Sequence, residues 1–217
     1  RFLLEKTAFL SLSDMGKALP SYEEIPITCR MEEVVQTEYK RIEDALVRVL
    51  RSDRRVAQKI LSAYLNLLTV YPDQPYDQKP ILYPDSDVPI IEPENMGDTD
   101  TLGEKELRTL EIVKAAIQNG ERALLYTSWV RTDSQQKLKK LLTDEGYRTE
   151  ILTDKIKTTD REDWVQKKLA AGMQVLITNP SLVETGLDLN AFTTLVFYSM
   201  GYKLFTLRQA SRRSWRI

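Results

Sequence analysis

QVLITNPSLVETGLDLNAFTTLVFYSMGYKLFTLRQASRRSWRI, residues Gln174–Ile217, contains two runs that read as buried strands, Gln174–Asn179 and Thr194–Ser199. Each runs into a polar segment. The first is Thr178-Asn179-Pro180-Ser181 with Glu184-Thr185-Gly186-Leu187-Asp188-Leu189, and the second is Arg208 to Arg216. The second holds four arginines in nine residues, at the end of an apolar sheet. Their mutual repulsion is tolerated when an anion sits nearby, and guanidinium forks suit phosphate oxygens.

Upstream of this stretch the chain alternates between helix and strand patterns. Glu106–Gln118 has helical apolar spacing and is ended by Gly120. Ala123–Ser128 reads as a central strand, Asp133–Glu145 as a helix stopped by Gly146, and Arg148–Leu152 as a strand. Thr159-x-x-Glu162 has the form of a capping box that opens a helix closed by Gly172, and a last helix begins near Thr206. Such alternation predicts an α/β fold with a parallel, doubly wound sheet and right-handed crossovers. Ligand sites in such sheets lie beyond the carboxyl ends of the strands. Both polar segments sit there, as does Tyr126-Thr127-Ser128-Trp129.

The first half reads differently. Glu24–Arg30 alternates apolar and polar residues and reads as a short edge strand. Met31–Leu50 and Arg54–Val70 carry apolar residues at three- and four-residue steps and read as helices. Six of the nine prolines lie between Pro72 and Pro93, among many acidic residues, so this segment is expected to bury little and to act as a surface linker. The expected division is a helical subdomain with a short strand over 1–71, a proline-rich acidic linker over 72–104, and the α/β unit over 105–217.

The 217 residues are 42% hydrophobic and 29% charged, with a net charge of −1, so any polyanion site must be a local patch. The chain holds one cysteine, Cys29, and no histidine, which excludes a disulfide framework and the histidine-based triads and most zinc sites. No apolar run has the length of a membrane span and no signal peptide is visible. An intracellular setting is therefore expected, cytoplasmic or, in a eukaryote, nuclear. The chain begins with Arg1 and ends inside a motif, so a longer protein is expected.

The polar segments resemble motifs V and VI of superfamily 2 helicases, most closely those of the Swi/Snf-type ATPases. Motif VI there reads Gln-Ala-x-x-Arg-x-x-Arg-Ile-Gly-Gln. Gln209, Ala210, Arg213, Arg216 and Ile217 match it, while Arg212 stands where the family often has Gly. The Gly-Leu-Asn/Asp-Leu core of motif V is matched by Gly186-Leu187-Asp188-Leu189. The resemblance implies a RecA-like C-terminal lobe preceded by a small helical subdomain. It implies that ATP with Mg²⁺ binds between this lobe and an N-terminal RecA-like lobe. The chain has no G-x-x-x-x-G-K-[ST] loop, so it is expected to supply half of the site and to be inactive alone.

By the same resemblance Arg213 and Arg216 are arginine fingers, catalytic in the full enzyme, and Arg212 points elsewhere. Gly186, Asp188 and Gln209 are expected near the nucleotide. Two of these have local alternatives: Asp188 as a turn residue satisfying its own backbone, and Gln209 as the partner of Thr206 in a capping box. Nucleic-acid phosphates, of DNA or RNA, are expected on the other rim at Tyr126, Thr127, Ser128, Thr178 and Asn179, with Trp129 as a stacking candidate. Tyr126 and Trp129 could equally be packing residues. A competing reading is a nucleic-acid-binding or scaffolding module that keeps the fold without catalysis. A flavodoxin-like domain has the same alternation but leaves the arginines unexplained.

Overall fold

A computed structural model describes residues 23–128, 133–183, 187–201 and 203–214. The described residues between 104 and 214 form an α/β unit around four parallel strands, β3 (Ala123–Tyr126), β4 (Thr149–Leu152), β5 (Val175–Thr178) and β6 (Thr194–Phe197). Their order across the sheet is β4-β5-β3-β6. Every residue of β3 and β5 is buried, which explains their unbroken apolar sequences. β6, expected to be buried, lies at the edge, among the described residues with only β3 beside it, and all four of its residues are half-buried.

The period-two alternation of β3 builds both faces of the sheet. Leu124 and Tyr126 join a core with Leu152, Val165, Leu176, Leu189 and Ala210, under helices α5 (Arg161–Ala170) and α6 (Leu204–Ser211). Ala123 and Leu125 join Val113, Leu138, Leu142, Val175 and Ile177, under α3 (Glu104–Gln118) and α4 (Ser134–Asp144). The other edge, β4, is blunted by charge. Glu150 pairs with Lys139 of α4 and Lys168 of α5, one from each face. Burial pushes the Glu150 carboxyl up, but the two lysines outweigh it and hold it below the usual carboxylate value.

Helices α1 (Glu33–Ser52) and α2 (Arg54–Val70) pack on each other as their spacing predicted. Asp53 stops the first and caps the second, accepting the Arg55 and Val56 amides at 2.9 and 3.0 Å. Glu24–Arg30 forms no strand. Ile25 and Ile27 are exposed, and Arg30 donates its amide to the Glu104 side chain.

The proline-rich segment also departs from expectation. It carries a two-stranded antiparallel hairpin, β1 (Ile81–Leu82) and β2 (Pro89–Ile91), whose Ile81 and Ile91 are buried in the α1–α2 core. Backbone groups there meet side chains far away in sequence. Tyr71 donates to the Glu94 carbonyl at 2.6 Å, Arg41 to the Glu92 carbonyl at 2.6 Å, and the Glu94 amide to Glu38 at 2.8 Å. The segment is therefore packed: beyond the hairpin its backbone polar groups are satisfied by side chains of α1 and by Tyr71 rather than by a ladder of its own.

The helical unit meets the α/β unit through buried charge. Lys105 pairs with Asp73 at 2.6 Å and lies 4.4 Å from the centre of the Tyr198 ring. Glu106, 4% exposed, accepts from the Gly103 amide, from the Tyr198 hydroxyl at 2.9 Å and from Lys137 at 2.9 Å. A groove of about 330 Å³ opens beside this cluster, lined by Cys29, Met31, Tyr76, Gly103, Glu106 and Lys137 among others.

If the proline-rich segment is packed, Ile91→Ala costs about 2–5 kcal/mol, the range for a truncated core isoleucine. Asp87→Lys, on the exposed hairpin turn, leaves the unfolding midpoint within error. Urea titration of both variants checks this, and equal midpoints would mean the segment does not contribute to the core.

Candidate nucleotide and nucleic-acid site

The carboxyl ends of β3, β5 and β6 lie side by side, because Tyr126 is in register with both Thr178 and Phe197. Just past those ends the chains are joined by side chains. The Ser128 amide donates to Ser199 Oγ at 2.9 Å, and Ser128 Oγ donates to the Ser199 carbonyl at 3.0 Å. Asn179 Nδ2 donates to the Ser128 carbonyl at 3.1 Å, while its Oδ1 accepts the Ser181 amide at 2.9 Å and caps a short 3₁₀ turn, Pro180–Leu182.

Thus Ser128, Thr178 and Asn179 are brought together as the sequence predicted. Their exposure differs. Thr127 and Thr178 are fully buried, and Asn179 is 7% exposed. Thr127 Oγ1 accepts from Gln135 at 2.7 Å, and Thr178 Oγ1 donates to the Leu152 carbonyl at 3.3 Å. These side chains hold the rim; the accessible polar surface belongs to half-buried Ser128 and exposed Ser181. Tyr126 requires a correction. It is fully buried, stacks on Phe197 at 5.0 Å between ring centres, and donates its hydroxyl inward to the Ala210 carbonyl. Its side chain lies in the core under α5 and α6, so it offers no surface to a bound strand.

The second polar segment begins inside α6, whose N-cap is Lys203. Thr206 therefore lies inside the helix and does not form the capping box with Gln209. The Thr159–Glu162 box is likewise absent, since Asp160 is the N-cap of α5. Glu162 has another partner: its Oε2 accepts the Asp188 amide at 3.0 Å. Asp188 is exposed, and its Oδ1 accepts the Asn190 amide at 3.1 Å, so it serves its own turn as well as facing solvent.

After Ser211 the helix gives way to a turn. Arg208 and Arg212 are exposed, Gln209 and Arg213 half-buried. The Arg213 amide donates to the Ala210 carbonyl at 3.2 Å, and the Arg213 carbonyl accepts the Leu189 amide at 3.3 Å. The Leu189 contact ties the arginine turn to the segment that carries Asp188. Gly186, Trp129 and Arg216 lie outside the described residues. The guanidinium groups on the turn have the chemistry that binds phosphate oxygens. No group of three or more His, Cys, Asp or Glu poised for a metal is found among the described residues. No described helix is long and apolar enough to cross a membrane.

Sequence reasoning missed Ser199, Gln135, Ser181 and the second role of Glu162. Ser199 was within reach, because it follows β6 as Ser128 follows β3. Gln135 and Glu162 act across 8 and 26 residues of sequence, and no local pattern marks such partners.

Residues 105–217 match the family described as the helicase conserved C-terminal domain. Among solved structures, the chain is similar to the C-terminal part of the Fun30 ATPase domain, with 12% identity and a TM-score of 0.62, covering 87% of this chain and 78% of that one. It is also similar to the C-terminal domain of the Sulfolobus solfataricus SWI2/SNF2 ATPase, with 15% identity and a TM-score of 0.58, covering 78% of this chain and 68% of that one. At these identities the likeness is one of fold, a RecA-like α/β architecture. No curated protein sequence matches.

Glu162→Ala removes the acceptor of the Asp188 amide. Hydrogen exchange at Asp188 accelerates about ten-fold or more, given a hydrogen bond to a charged acceptor worth roughly 1.5–3 kcal/mol. Exchange in β5 stays unchanged. An unaltered rate at Asp188 would show that the Glu162 contact does not hold this segment.

Proposed function

Because the chain belongs to the family of helicase conserved C-terminal domains, we propose that it is the C-terminal motor lobe of a Swi/Snf-type, ATP-dependent DNA translocase. ATP binds between this lobe and an N-terminal RecA-like lobe that supplies the phosphate loop and the Mg²⁺ contacts. Alone, the chain has half a site and does not turn ATP over.

The observation that carries this reading is the contrast between neighbours on the α6 turn. Arg212 is exposed, whereas Arg213 is half-buried, and its backbone is tied to the Asp188 segment through Leu189. A solvated basic face would have no use for that tether. During hydrolysis water attacks the γ-phosphorus, the bond to the bridging oxygen breaks, and charge grows on the leaving ADP and the transferred group. Arg213, with Arg216, stabilises that charge from across the cleft, and such fingers are worth about 10³–10⁵ in rate. Asp188 and Gln209 lie near the nucleotide. On the β3 and β5 rim, Ser128 and Ser181 meet nucleic-acid phosphates, and Asn179 sets the spacing between them. Such contacts fix register without reading bases, so binding is sequence-independent and weakens with salt.

In the full-length protein, Arg213→Ala lowers DNA-stimulated kcat by about 10³ while ATP affinity falls little, because the finger acts on charge present mainly in the transition state. Arg213→Lys rescues poorly, and Arg212→Ala stays within a few fold of wild type. Steady-state hydrolysis beside nucleotide affinity tests this. Equal loss at Arg212 and Arg213 would mean the motif register is wrong, and no loss at either would return the cluster to a solvated basic face.

A further inference from the structure

Tyr126 is the last residue of β3 and is fully buried. A phenylalanine would fill the same space and stack equally well on Phe197, so packing does not account for the hydroxyl. A buried phenol usually finds a partner, and this one spans 84 residues of sequence to donate to the Ala210 carbonyl at 3.0 Å. Burial pushes the phenol far up, against a smaller downward pull from the Arg213 charge, so it remains a donor at neutral pH.

The acceptor matters because of where it lies. Carbonyls in the last turn of a helix have no partner four residues on. Among the described residues the Ala210 carbonyl accepts from the Tyr126 hydroxyl and from the Arg213 amide, the latter at 3.2 Å. The Arg213 carbonyl in turn accepts from Leu189 at 3.3 Å. The arginine backbone is thus held on both sides, and one of those holds is anchored in the central strand of the sheet. Ser211 is the last helical residue, so the Arg213 side chain springs from a turn whose place depends on these bonds.

We propose that Tyr126 is a positioning residue for Arg213: its hydroxyl fixes the Ala210 carbonyl, and with it the turn from which the guanidinium reaches the nucleotide phosphates. This rests on the finger reading of Arg213 given above. A finger tolerates little displacement, since a misplacement of about 1 Å can cost about 100-fold in rate. The link runs from the core of the sheet to the reacting phosphate without Tyr126 touching substrate.

The test is Tyr126→Phe in the full-length protein, alone and combined with Arg213→Ala. The single variant lowers kcat for ATP hydrolysis about ten-fold or more, on the same geometric argument, with KM for ATP and the melting temperature little changed. In the Arg213→Ala background it causes no further loss, as expected of two residues on one chain of contacts. In the 217-residue chain the same substitution speeds hydrogen exchange at the Arg213 amide, a readout that does not depend on turnover. If Arg213→Ala abolishes turnover and Tyr126→Phe does not, the positioning inference fails alone. If Tyr126→Phe costs the same factor with and without Arg213, Tyr126 acts independently and the inference fails. If Arg213→Ala leaves turnover intact, the finger reading itself falls. Unchanged exchange at Arg213 would overturn the inference even where the full-length variant cannot be purified.

Discussion

The parallel ladder of β3 against β5 and β6 sets where everything polar in the α/β unit can go. Tyr126 is opposite Thr178 on one side and Phe197 on the other, so three strands end at one level. Past that level each chain must satisfy its own backbone, and the residues there do so by joining one another. Ser128 takes Ser199 on one side and Asn179 on the other. A slip of one residue in β3 would place Leu125 where Tyr126 now stacks and send its side chain to the opposite face. The rim, the buried hydroxyl and the α6 turn would all lose their common origin.

Charge gives the second constraint. Glu106 and Lys137 are both buried, and isolating either would leave an unpaired ion in the core. Desolvation can cancel what such a pair gains, so its value lies less in net stability than in fixing one arrangement. Here it fixes three elements: α3 carries Glu106, α4 carries Lys137, and Tyr198 leads out of β6. Lys105, the neighbour of Glu106, reaches Asp73 of the helical unit. Burial pushes the Asp73 carboxyl up despite that lysine, so ionised Asp73 is retained at some cost to folding. The cost is spent on orienting the helical unit against the sheet.

Much of this was legible in the sequence, and the reasons differ by element. The α1 and α2 spacing and the apolar runs of β3 and β5 are local signals, and they mark elements that form where their residues lie. The proline-rich segment was misread because its buried residues, Ile81 and Ile91, follow no period and its hydrogen bonds come from Glu38, Arg41 and Tyr71 in other elements. The capping patterns at Thr159 and Thr206 failed because the helices start elsewhere, with Asp160 and Lys203 at the N-cap positions and no side-chain cap at either. Tyr126 could be placed on β3 but not given a role. Alternation along β3 puts it on one face with Leu124, but only the fold reveals that α6 covers that face.

The central claim is that Arg213 belongs to one half of a composite ATP site and acts on the transition state. The most direct measurement is the affinity of the full-length protein for ADP with and without aluminium fluoride, a mimic of the transferred phosphoryl group. Wild type binds the ADP–fluoride complex more tightly than ADP, because a transition-state analogue collects contacts that the ground state lacks. Arg213→Ala keeps the ADP affinity and loses that gain. A variant that retains the full gain would show that Arg213 does not reach the phosphates, and the account of this lobe as the bearer of the finger would be wrong.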